Sequence, residues 1–359
     1  MVNCEWSLSV LIKYLNIYKF VKVNSLLTIH NSQIICKLGF QPNIKKNMKE
    51  KEFINIIKNV LQSNYIGDDC AYLKDLGIVV SQDSLVENVH FRRDLISPFQ
   101  LGYKSVMVNI SDICASGAKP AYLTISLSLP NDINSNFVKE FYEGAKSACN
   151  PNPSPFPKGE GENIKIVGGD ITSADKIYVS VCAIGDAKWR NISSRKNAKE
   201  GYKVVVSGLH GSSCAGLKLL LEGKTEPQKF VKAHLEPQAQ VEFGSKAGLN
   251  IKTTYAMMDT SDGLIDALST IANESRVLLE IDFDKIPHDK DLEKFDSWQD
   301  MVLFGGEDYG LVSVVPQEFD AGTQIGVVKK GLGVNLKING KIIHYSKQDV
   351  ENKIFNHFD

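Results

Sequence analysis

The sequence predicts a mixed α/β (α+β) protein built in two halves, and three observations predict it. Strand-like apolar runs alternate with stretches of helical period along almost the whole chain. A polar, turn-rich segment, NISSRKNAKEGYK, interrupts them near 187–200, after which strand, Gly-rich turn and helix begin again. Composition agrees: 359 residues with 43% hydrophobic and 23% charged side chains is the balance of an ordinary globular protein, not of a fibre or a disordered chain.

Taken in order, MKEKEFINIIKNVL at 48–61 puts Phe53, Ile56, Ile57 and Leu61 on one face of a helix. Short strands are expected at 71–73 and 77–81. A helix should follow from Pro98 to about Gly117, with Ser97 as its N-cap and Pro98 in its first turn. AYLTISLSLP at 121–130 alternates as a strand does and closes at Pro130. A second helix is expected over about 134–149, then a Pro/Gly-rich insert without apolar period at 150–163. Strands resume at IKIVGG and IYVSVCAIGDA. In the second half KVVVSG reads as a strand, CAGLKLLLEG as a helix, YAMMDTSDG as a strand entering an acidic turn, and the helix beyond carries Leu264, Leu268 and Ile271 on one face. The domains expected are 48–187 and 188–359. Residues 1–47, in which Lys13, Lys19 and Lys22 break every apolar stretch, are expected to be an extension upstream of a second Met at 48, and no signal peptide is read there.

A formal net charge of -1, with no basic block interleaved with aromatics, argues against nucleic acid and anionic membranes as partners. No run of 18 apolar residues is present, so no membrane-spanning helix is expected. Seven scattered cysteines without a C-x-x-C pair indicate neither a disulfide framework nor a zinc site, and suit a reducing cytoplasm. Cys70 has no basic neighbour to lower its pKa and reads as a small buried residue.

The chemistry is concentrated in four acidic phrases at the ends of apolar runs: GDDC at 67–70, GGDITSAD at 168–175, MMDTSDGL at 257–264 and GGEDY at 305–309. Any one of them is ordinary turn chemistry. Together they set seven Asp and one Glu beside glycines without a basic residue among them, a pattern suited to Mg²⁺ held between carboxylates and substrate phosphates. Asp112 lies within the apolar helix at 98–117, where burial without a cation or a donor is costly. GLKLLLEGKT at 216–225 is not a P-loop, because Lys218 stands where glycine is required, and the protein-kinase motifs are absent. GSSCAG at 211–216 misses the nucleophile elbow by Ala215. It reads either as a helix N-terminus meeting phosphate or as a plain cap.

Read in sequence, GDDCAYL, SQDSLVENVHF, LGYKSVMVNISDICASGAKPAYLTISLSLP, IVGGDITSAD, SSRKNAKEGYKVVVSG, MMDTSDGL and LFGGEDYGL resemble the thiamine-monophosphate kinases, from about residue 48 to the C-terminus. The resemblance implies the two-domain fold shared with aminoimidazole ribonucleotide synthetase, selenophosphate synthetase and a hydrogenase-maturation protein. It implies a homodimer formed through the N-terminal sheet, with the ATP and metal site in a cleft beside the C-terminal domain. It further implies Mg²⁺ ligation by Asp69, Ser81, Gln82, Asp83, Asp112, Asp170, Asp259 and Asp262; ATP contacts from Gly169, Asp170, Arg195 and Ser261; and thiamine monophosphate contacts from His90, Glu307 and Phe355. Asp170, Arg195, Asp259 and Asp262 would carry the catalysis, in-line transfer from ATP to an acceptor phosphate. His90 by itself reads more often as a structural histidine, and Phe355 as a core aromatic. The chain departs from the family pattern at Gln82, where Thr is common, and at Gly310, where Glu commonly follows GGEDY. Gln82 puts a side-chain contact to metal in doubt unless its carbonyl serves. The alternatives are a sister synthetase, of which selenophosphate synthesis would favour a reactive Cys in a Gly-rich N-terminal segment and hydrogenase maturation a Cys at the extreme C-terminus, where this chain has NHFD, and a nucleotide- or metal-binding protein without turnover.

Overall fold

The computed structural model describes residues 50–150 and 164–354. Expectations for 1–47, for the insert from 151 onward and for Phe355 lie outside the described residues. The first half comprises α1 (Glu50–Leu61), β1 (Ala71–Leu73), β2 (Ile78–Val86), α2 (Pro98–Ser116), β3 (Lys119–Leu129), α3 (Ser135–Cys149), β4 (Lys165–Ser173) and β5 (Tyr178–Asp186). Its strands form one sheet in the order β1-β2-β5-β3-β4, with β3 and β4 parallel and the other neighbours antiparallel. The second half comprises β6 (Lys203–Ser207), α4 (Ser212–Leu221), α5 (Gln228–Leu235), α6 (Val241–Asn250), β7 (Ala256–Asp259), α7 (Leu264–Ser275), β8 (Leu278–Asp282), α8 (Trp298–Phe304), β9 (Leu311–Val315), β10 (Thr323–Lys329), β11 (Gly333–Ile338), β12 (Lys341–Tyr345) and α9 (Lys347–Glu351). Its seven strands run β12-β11-β8-β10-β6-β9-β7.

α2 forms where its caps predict. The Gln100 N–H donates to Ser97 Oγ at 3.1 Å while the Ser97 N–H donates to the Gln100 side chain at 3.1 Å, and Gly117 ends the helix in the left-handed region at φ 83°. The helix packs on β2, β3 and β5, on α3, and on α6 and β7 of the second half. It is therefore buried nearly all round, as an apolar helix without a polar stripe must be. Along β3 and β5, Leu123, Ile125, Leu127, Val179, Val181 and Ala183 alternate inward, which leaves the opposite face of this sheet without a covering helix among the described residues.

Two acidic phrases differ from expectation. β2 extends past 81 to Val86, paired with β5 along its whole length, so Asp83 sits inside a strand. β4 carries the GGDITS phrase to Ser173, paired in parallel with β3 along one side with a register shift between Leu123 and Thr124. The α5, α6, β8 and β10–β12 elements of the second half are additions to the sequence reading; β10 is broken by an irregularity between Gln324 and Gly326 that blurs its alternation.

The α2–α3 contact depends on two glycines. A Cβ on Gly102 would lie 1.9 Å from the Phe141 carbonyl oxygen, and one on Gly144 would lie 1.8 Å from that of Phe99. A methyl on Gly168, by contrast, meets nothing within 4 Å. Gly102→Ala should therefore lower stability by about 2 kcal/mol or more despite its gain in helix propensity, and Gly168→Ala should leave it nearly unchanged. Thermal unfolding of the two variants checks this; equal midpoints would contradict it.

Candidate active site

Three carboxylates converge on the seam between the halves. Asp69 lies in the turn before β1, Asp112 near the end of α2, and Asp259 at the end of the fully buried strand β7. One oxygen of each lies within 4.8 Å of those of the other two. Hydroxyls orient the group: Ser81 Oγ donates to Asp112, Ser111 Oγ to Asp259 Oδ2 at 2.7 Å, and Ser261 Oγ to Asp259 Oδ1 at 3.0 Å. The Ser111 bond joins α2 to the second half. Arg195, from the segment between the halves, grips Asp69 through Nη2 at 2.9 Å, and its peptide N–H donates to Asp68 at 2.8 Å.

The electrostatics follow from crowding. Burial, reinforced by Asp83, Asp259 and Asp69, pushes the Asp112 carboxyl well above the usual carboxylate range. Burial and then Asp69 push Asp259 up to about 7. Burial opposes charge on Arg195, but Asp69 outweighs it and holds the guanidinium firmly protonated. One arginine cannot neutralise three such acids, whereas a hard divalent cation could. The donor set consists of carboxylate and hydroxyl oxygens with no soft ligand, which fits Mg²⁺. A cavity of about 260 Å³ lies alongside, lined by Tyr65, Asp68, Asp69, Tyr72, Ser193 and Ser194 among others.

The remaining predicted residues divide into near and far. Ser81 and Asp83 share the inner face of β2, and the Asp83 N–H donates to Asn109 Oδ1 of α2 at 3.0 Å. Gln82 must point the other way on a strand, and its amide donates to Ser180 at 3.2 Å on the outer face, so its side chain is not a ligand beside the trio. Asp170 registers through Ser126 and Ser180 with Ser84, and is exposed on that same outer face at the opposite edge of the sheet. Three strand spacings of about 4.8 Å separate β4 from β2, so Asp170 does not join the trio within one chain. Gly169 packs against β3 so tightly that a Cβ would lie 1.9 Å from the Ile125 carbonyl oxygen. Asp262 is exposed in the turn after Asp259 and stands outside the trio. His90 accepts the Val86 N–H on Nδ1 at 3.0 Å. Glu307 adopts φ 63° and donates its N–H to the Ser261 carbonyl at 2.8 Å, which ties GGEDY to the second acidic turn.

Sequence reasoning missed Ser111, Lys104, His234 and Asp308. Lys104 gave the same signal as Asp112, a charge within an apolar helix. Its Nζ lies 3.2 Å from Glu307. Asp308 accepts the N–H groups of Gly211 at 2.5 Å and Ser213 at 2.8 Å, capping α4 from across the fold. The GSSCAG helix start is thus a cap filled by a carboxylate, and the phosphate alternative is set aside. Cys70 is buried, and burial followed by Asp112 and Asp69 pushes its thiol up, as expected of an inert cysteine.

With the fold and site described, similarity to known proteins can be weighed. Residues 67–187 match the AIR synthase related protein N-terminal domain, and 199–331 the corresponding C-terminal domain. The thiamine-monophosphate kinase of Aquifex aeolicus is 36% identical over 304 residues, 80% of this chain and 94% of that relative. That of Bacillus subtilis is 35% identical over 315 residues, 82% and 93%. Among solved structures, AaThiL complexed with AMPPCP and TMP matches with a TM-score of 0.75 at 33% identity, covering 89% of this chain and all of that one. A hydrogenase maturation protein, HypE in complex with ATP, shares the fold with a TM-score of 0.56 at 18% identity, covering 80% of this chain and 91% of that one. The chain belongs to the thiamine-monophosphate kinase family, within the two-domain AIR synthase related fold.

Proposed function

We propose that the protein transfers the γ-phosphoryl group of ATP directly and in line to the phosphate of thiamine monophosphate, giving thiamine diphosphate and ADP. The observation that carries this reading is the carboxylate trio spanning both halves, in a chain whose relatives are thiamine-monophosphate kinases. Asp69, Asp112 and Asp259 would hold Mg²⁺, with Ser81 and Asp83 beside them. Bound there, Mg²⁺ neutralises phosphate oxygens that would otherwise repel one another. Ser111 and Ser261 orient Asp259, and Arg195 fixes Asp69 while offering a forked donor to phosphate. The acceptor phosphate is already ionised near neutral pH, so the transfer needs no general base and no protein nucleophile. His90 and Glu307 are assigned to the thiamine end of the acceptor. With Nδ1 of His90 accepting from Val86, the proton of its neutral ring lies on Nε2 as a donor.

Purified protein with ATP and Mg²⁺ should convert thiamine monophosphate to thiamine diphosphate, and Asp259→Asn should reduce turnover by about two orders of magnitude or more with the melting profile retained. Chromatographic product analysis checks both; no conversion by the wild type would sink the proposal, and near-normal Asp259→Asn activity would sink the metal assignment.

The same reading includes a cytoplasmic homodimer. No helix of the described residues is long and apolar enough to cross a membrane, and the cysteine pattern suits a reducing compartment. The uncovered sheet face, with Tyr122 and Val167 exposed, is the surface assigned to the second copy. Gly169 and Asp170 lie at the outer edge of that sheet and would contribute to the partner's site, not to their own. Mixing inactive Asp170→Asn with inactive Asp259→Asn protein should then restore up to about a quarter of wild-type activity, because half of the mixed dimers are hybrids with one intact site each. Subunit exchange followed by the turnover assay measures this, and activity no higher than either variant alone would contradict it.

A further inference from the structure

Lys104 lies on α2 and is 1% exposed, yet it carries a charge. Its Nζ is 3.2 Å from Glu307 Oε2, and no other carboxylate pairs with it among the described residues. On the far side of the same oxygen, 3.3 Å away, is Nδ1 of His234 on α5, itself 3.0 Å from Ser213 Oγ. Burial, with Lys104 nearby, lowers His234 to about 4, so the ring is neutral. Glu307 is differently disposed: its side chain is 26% exposed, and Oε1 accepts no hydrogen bond from any described residue. The backbone beneath it is fixed in the left-handed region and bonded to Ser261. Oε2 is thus held by Lys104, with the neutral His234 ring packed beside it, while Oε1 stays available.

Burying an ammonium to pair with a carboxylate is rarely a gain in stability, because desolvation offsets the attraction. The pair also joins α2 of the first half to the GGEDY turn of the second. We propose that Lys104 is a positioning residue for acceptor recognition: by holding Oε2 of Glu307 against the buried side, it presents Oε1 to the thiamine moiety of the acceptor, which joins a cationic thiazolium to an N–H-bearing aminopyrimidine. The inference rests on the reading that Glu307 contacts thiamine monophosphate, and it assigns Lys104 no contact of its own with either substrate.

Steady-state kinetics of Lys104→Met, Lys104→Arg, Glu307→Gln and the Lys104→Met/Glu307→Gln double variant test it, with each substrate varied while the other saturates. Lys104→Met should raise KM for thiamine monophosphate by about tenfold or more, the effect of losing one well-placed charged hydrogen bond. KM for ATP should stay within about twofold, and Lys104→Arg should recover most of the loss. In the Glu307→Gln background Lys104→Met should add no further rise, and because that pair leaves no buried unpaired charge it carries the test even where Lys104→Met alone does not fold. An unchanged acceptor KM in Lys104→Met, an equal rise for both substrates, or a double variant much worse than Glu307→Gln would overturn the inference. Should Glu307→Gln itself leave the acceptor KM unchanged, the assignment of Glu307 to the substrate fails first; a rise in Glu307→Gln without one in Lys104→Met defeats the positioning role alone.

Discussion

The crowding of Asp69, Asp112 and Asp259 within 4.8 Å is the interaction on which the rest of the structure depends. Three acids in a buried space repel one another, and the carboxyl groups of Asp112 and Asp259 hold protons more tightly than exposed ones do. Such a cluster is unfavourable for the fold alone. It persists because the surrounding residues over-determine it: Ser81, Ser111 and Ser261 donate into it, Arg195 braces Asp69, and strand and helix ends aim each carboxylate inward. In the proposed function that repulsion becomes useful, since the negative charge crowded there would hold a divalent cation, and the cation in turn the phosphates.

α2 is the element that makes the arrangement possible. It belongs to the first half by chain order, yet it packs on both halves, and Lys104, Ser111 and Asp112 project from it toward second-half or seam residues. The glycine contacts with α3 bring the helix close enough to be enclosed on every side. The residues proposed to hold the metal and to position the acceptor-binding Glu307 are therefore anchored to one helix, about two helical turns apart. GGEDY completes the design from the other side: Glu307 faces Lys104, while its neighbour Asp308 turns away to cap α4.

Much of this was legible in the sequence. Helix 98–117 announced itself through Ser97, Pro98 and Gly117, and Asp112 stood out as a charge in an apolar stretch; Lys104 offered the same signal eight residues earlier. What local pattern cannot express is which distant residues meet. Gln82 and Asp83 are adjacent in sequence, yet the two-residue period of a strand sends them to opposite faces of the sheet. Asp170 reads like Asp259, each set in an acidic phrase that also holds glycine and serine, but sheet order puts it at the far edge. GSSCAG looked open to phosphate because nothing nearby in sequence filled it, whereas the filling carboxylate, Asp308, comes from almost a hundred residues away.

The most direct test of the account is anomalous diffraction from crystals grown with Mn²⁺ in place of Mg²⁺ and a non-hydrolysable ATP analogue. The account predicts a manganese peak held by the carboxylates of Asp69, Asp112 and Asp259 at about 2.1 Å, with analogue phosphate oxygens completing the coordination. A fully loaded crystal with no peak at that trio, or with its metal held only by acids elsewhere, would contradict it.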